Sequence, residues 1–106
     1  MQTMNSAIGI VEMFGFVTAI TAADAAAKAA DVKIIAIDSD KSSSVRSAEA
    51  PLTMAVKMQG DVSAVKKAVD AAVKAADSIS GSICAKVISG SADDALRAAQ
   101  AVGAGL

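Results

Sequence analysis

AIGIVEMFGF at residues 7–16, followed by AITAADAAAKAADV at 19–32, decides how this chain is read. Over residues 7–14, Ala7, Gly9, Val11 and Met13 share one side of an extended strand, and Ile8, Ile10 and Glu12 share the other. Few charges fall on either side, which predicts a strand covered on both faces. Gly15 then interrupts the strand, and an alanine-rich helix runs from near Phe16 to about Ala30. Phe16, Ile20, Ala23, Ala27 and Ala30 recur at helical spacing and form its predicted buried stripe. Thr18, Thr21, Asp24 and Lys28 lie elsewhere on its surface, with Asp24 and Lys28 as an i,i+4 ion pair.

Working outward, residues 32–38 read as a second strand rich in β-branched side chains. A Ser-rich stretch, DSDKSSSVRSAEAP at 38–51, separates it from a third strand at 52–58. There Leu52, Met54, Val56 and Met58 alternate with Thr53, Ala55 and Lys57, the pattern of a half-buried strand. Gly60 and Asp61 make a turn, with Asp61 as N-cap of a second helix. Val62, Val65, Val69, Ala72, Val73 and Ala76 form one face of that helix, and Lys66, Lys67, Asp70, Lys74 and Asp77 a solvated one. Ser80, Gly81 and Ser82 break it before a fourth strand, in which Ile83, Ala85 and Val87 alternate with Cys84 and Lys86. Ser91 and Asp94 resemble a capping box opening a last short helix that ends at Gly103. The expected fold is α/β (α+β): one domain over residues 7–106 after an extension at 1–6. It has a four-stranded antiparallel or mixed sheet in βα-ββα-β order, ferredoxin-like, plus a short C-terminal helix.

Composition narrows the function. The chain has 106 residues, 54% of them hydrophobic, yet only Phe14 and Phe16 are aromatic and much of the apolar count is alanine. Alanine hides little area at roughly 25 cal/mol per Å², so a lone domain of this kind has a thin core. Further burial is expected between subunits, with Ala26 and Ala27 as the packing candidates. A net charge of −1 offers no basic stripe for nucleic acid. No apolar run reaches the roughly 20 residues of a membrane span, and MQTMNS lacks the pattern of a secretory signal. Histidine is missing, which rules out a His-based triad and a His-ligated metal. The single Cys84 makes no intrachain disulfide and fits a reducing cytoplasm. By itself it holds no iron–sulfur cluster within one chain, although a symmetric assembly could pool one from each copy. No catalytic set, metal site or cofactor is expected, and Cys84 reads as a small buried residue, with an interface thiol as the alternative.

The segments at 7–16, 19–32 and GDVSAVKKAVDAA at 60–72 together resemble the single-domain, hexamer-forming shell proteins of bacterial microcompartments, over roughly residues 7–89. The resemblance implies a cyclic homohexamer that tiles edge to edge into sheets with other shell proteins, in the cytoplasm. It implies a central pore, formed by the loop after the second strand, that passes small metabolites, and no catalysis. It also implies docking of encapsulated enzymes through short amphipathic helices. Lys28 falls on the family's edge lysine, whose aliphatic stem lies across the junction between hexamers. Two departures stand out. The pore loop is longer than the family's short Gly-rich one, and ISGS at 88–91 replaces the usual arginine-bearing segment.

Within that loop the pore candidates are Asp40, Lys41, Ser42, Ser43, Ser44 and Arg46. On a six-fold axis each becomes a ring of six. Lys41 and Arg46 would favour anions, and the serines would offer hydroxyls. The bland alternative is a disordered Ser-rich linker. A competing function comes from the same element order: a ferredoxin-like regulatory module binding a small molecule between subunits, with Gly60 and Asp61 at its ligand turn.

Overall fold

A computed structural model describes residues 6–39 and 52–89. The described elements are β1 (Ser6–Phe14), α1 (Phe16–Ala29), β2 (Lys33–Ser39), β3 (Thr53–Asp61), α2 (Val62–Asp77) and β4 (Ser82–Ser89). In space the strands run β2-β3-β1-β4, and every neighbouring pair is antiparallel. Each helix therefore carries the chain over a strand it does not pair with. That is the split βαβ arrangement expected from the element order, and the sheet is antiparallel throughout.

The two sides of β1 separate as its alternation predicts. Ala7, Val11 and Met13 join Met54, Val56 and Met58 of β3 beneath both helices. Ile8 and Ile10 join Ala55 on the opposite face, with Ile35 and Ile88 packed against them. Gly9 sits where α2 comes closest: a Cβ there would lie 2.6 Å from Val69 and 2.8 Å from Val65. Glycine lets the helix ride directly on the central strand.

Several expectations change. β3 runs on through Gly60 and Asp61, which pair with Ala7 and Ser6, so these two extend the sheet where a free turn was expected. Gly60 fits because a side chain would press on the carbonyl of Asp31. Asp61 does precede α2, but its side chain makes no capping hydrogen bond. The buried stripe of α1 is Thr18, Ala19, Ala22, Ala23 and Ala26, about one position round from the stripe led by Phe16 and Ile20. Packed side by side with α2 and close to the sheet, α1 turns its smallest residues inward and leaves Phe16 and Ile20 outside. Ala26 is thus fully buried inside a single chain, in the core beneath the helices, and is no subunit-packing residue; Ala27 is exposed. Lys57, expected on an open strand face, is 5% exposed. Cys84, expected to be buried, is exposed.

Candidate assembly surfaces

The C-terminal end of β1 gathers the exposed apolar residues. Gly15 adopts φ 91°, a conformation natural to glycine, and turns the chain from strand into helix. Its N–H donates to the Leu52 carbonyl at 2.7 Å, tying the start of α1 to the entry of β3. Ser39 lies opposite Met54, so residues 40–51 leave and rejoin the sheet at this same end. Phe14, Phe16, Val17, Leu52, Ile79 and Ile83 are 37–72% exposed here, and Ile20 follows one turn along α1. A contiguous apolar patch on a small domain commonly marks a contact surface.

The opposite end of α1 is polar. Lys28, in its last turn, donates to Asp24 at 2.8 Å, and both side chains are mostly exposed. The hydrogen bond and the charge of Asp24 raise the Lys28 pKa above its ordinary value. Because α1 runs back along the sheet for 14 residues, Lys28 stands about 20 Å from the roots of the 40–51 segment.

On the face away from the helices, strand register arranges charge in bands. Asp38, Ala55, Glu12 and Cys84 lie side by side across the four strands, and the Cys84 thiol donates to Glu12 Oε1 at 2.9 Å. The next row carries Lys57, Ile10 and Lys86. Lys57 Nζ reaches diagonally to Asp38 Oδ2 at 3.1 Å.

With this geometry in view, the comparisons with known proteins bear directly on identity. Residues 7–92 match the BMC domain, a span that takes in both helices and all four strands except Ser6, the first residue of β1. The chain belongs to the BMC domain family. Among curated proteins it is similar to the bacterial microcompartment shell protein PduK of Citrobacter freundii, at 32% identity over 93 residues. That alignment covers 88% of this chain and 54% of the relative, so the chain spans about half the relative's length. Among solved structures it is similar to a microcompartments protein from Desulfitobacterium hafniense DCB, with TM-score 0.65 and 27% identity. There 80% of this chain superposes on 41% of the other.

Within this BMC domain the sequence-derived candidates separate. Lys28 lies at the polar tip of α1, and Ala27 beside it on the exposed side. Asp40, Lys41, Ser42, Ser43, Ser44 and Arg46 lie outside the described residues, as do residues 1–5 of the extension at 1–6 and the last predicted helix; Ser6 of the extension is the first residue of β1, and of the pore segment only the roots, Ser39 and Leu52, are placed. The Asp38–Lys57 pair is not legible in the sequence, because Asp38 falls at the junction of the second strand and the Ser-rich stretch and nothing there says which face it takes. Nor is the link between Thr18 and Ser80, whose oxygens lie 2.9 Å apart. The only signal for the first is a lysine set among apolar residues in an alternating strand.

Proposed function

We propose that this chain is a structural, non-catalytic component of a microcompartment shell in the bacterial cytoplasm. It closes into a cyclic homohexamer around residues 40–51 and tiles edge to edge with itself and with other shell proteins. The observation that supports this reading most is polarity along α1 within a BMC domain. The roots of the 40–51 segment and the exposed apolar side chains share one end of the sheet, and Lys28 occupies the other.

Such a layout suits a disc. The apolar end is covered when copies meet around the axis, where each member of the Ser-rich segment becomes a ring of six. Lys41 and Arg46 favour small anionic metabolites there, balanced by Asp40. The Lys28 tip faces outward, where its stem lies along a neighbouring disc. Ala27, exposed beside it, meets the same neighbour or the adjoining copy. Short amphipathic helices of encapsulated enzymes are candidate cargo contacts.

Mass determination in solution, followed by electron microscopy of concentrated protein, tests the reading. Six chains per particle and extended sheets or tubes are expected. A particle of one or two chains, or a dimer stabilised by a small-molecule ligand, would replace it with the regulatory-module alternative.

A further inference from the structure

The run VKIIAID at 32–38 performs an unusual turnover of faces. Val32 and Ile34 pack with the core beneath the helices, Ile35 packs on the opposite face, and Ile37 is again beneath the helices. Strict period-two alternation would put Asp38 on the same side as Ile34. Instead the register shifts: Ile34 stands opposite Met58 and Ala36 opposite Lys57, so Ile35 is an extra residue, a β-bulge. Asp38 thereby emerges on the helix-free face, with its carboxylate 3.1 Å from the Lys57 ammonium.

We propose that the Asp38–Lys57 pair is a register lock that selects the bulged form of β2. The apolar pattern does not make that choice. Ile34, Ile35, Ala36 and Ile37 are four apolar residues in a row, and such a strand accepts a one-residue slip without exposing anything costly. Charge makes the choice. With Val32 and Ile34 held in place, an unbulged strand moves Asp38 to the position Ser39 now holds, opposite Met54 on the helix side, and takes its carboxylate away from the Lys57 ammonium, a nearly buried charge that is stabilised by an opposite charge beside it. The bulged strand brings it to Lys57, whose side chain is only 6% exposed. The lock also fixes which side of the sheet Ser39 faces.

Asp38→Ile tests this directly, because it makes residues 32, 34, 36 and 38 a uniform apolar face. Cross-strand nuclear Overhauser contacts in the full chain report the register. The wild type is expected to show Ala36 across from Lys57. Asp38→Ile is expected to show Ile35 there, with the bulge gone. Asp38→Asn, a milder change, is expected to speed amide exchange in residues 34–39 by about tenfold or more while β1 amides hold their rate. The charge-exchanged double variant Asp38→Lys/Lys57→Asp is expected to return the bulged register. Retention of the Ala36–Lys57 contact in Asp38→Ile overturns the proposal. Should that variant not fold, wild-type exchange rates across β2 in Asp38→Asn overturn it equally.

Discussion

Thr18 and Ser80 meet across 62 positions of sequence, Oγ1 to Oγ at 2.9 Å. Ser80 has one hydroxyl hydrogen and gives it to the Phe14 carbonyl at 3.0 Å, so Thr18 donates to Ser80. The relay joins the start of α1, the turn after α2 and the last residue of β1. Thr18 is buried, so Ser80→Ala withdraws its acceptor and is expected to cost about 1–3 kcal/mol in denaturant unfolding. Adding Thr18→Val should cost less than the sum of the two single changes, since the relay is already broken.

Ala26 and Ala27 are adjacent in sequence, yet one is buried in the core and the other is exposed. Ala26→Leu overfills the core and is expected to destabilise the single chain by about 1–3 kcal/mol. Ala27→Leu adds bulk to an exposed position, so thermal unfolding should barely move while assembly changes. Equal loss of stability in both would contradict the helix orientation.

Gly9 sets the height of α2 above the sheet. An added methyl group would sit 2.6 Å from a Val69 carbon and 2.8 Å from a Val65 carbon. Gly9→Ala is therefore expected to cost about 1–3 kcal/mol, and Gly9→Ala/Val69→Ala to regain part of it, read from chemical denaturation.

Lys28→Ala is expected to leave the particle mass unchanged and to weaken sheet formation under the microscope. Asp24→Asn should lower the Lys28 pKa toward its ordinary 10.5, because Asp24 supplies the effects that raise it. A raised lysine pKa means that the pair's contribution is fully present below 10.5 and is lost as pH climbs through the raised value. The ion pair is solvent-exposed, so its effect should shrink with added salt. Nuclear magnetic resonance titration of the lysine side chain at two salt concentrations measures both.

Deleting residues 40–49 should keep the sheet intact. Ser39 lies opposite Met54 at the sheet end, and Ala50, Pro51, Leu52 and Thr53 remain to join them as a short hairpin connection. Circular dichroism and melting temperature should stay near the wild type, while the central opening of the particle changes in images. Global unfolding would place the segment in the core.

Strands were the most legible part of the chain because their alternation is strong. Ala7, Val11 and Met13 fell on one face and Ile8 and Ile10 on the other, as the pattern required. The orientation of α1 was not legible. In a helix that is half alanine the only large apolar guides are Phe16, Val17 and Ile20, and all three are exposed on the single chain. The rule that large apolar residues face inward fails here, because only small side chains fit between α1, α2 and the sheet. The bulge in β2 was hidden for the converse reason: an unbroken apolar run carries no parity, and the deciding contact lies on another strand. Lys28 could be located on a helix face from spacing, but its distance from the 40–51 segment needed the direction of α1.

The antiparallel return of α1 has a consequence for how such a chain tolerates change. Changes of length and chemistry beyond Ser39 and Leu52 fall at one pole, remote from the frame that holds Asp24 and Lys28 at the other. In the proposed disc, a remodelled opening would leave the outer dimensions, and so the fit to neighbouring tiles in a mosaic, constant.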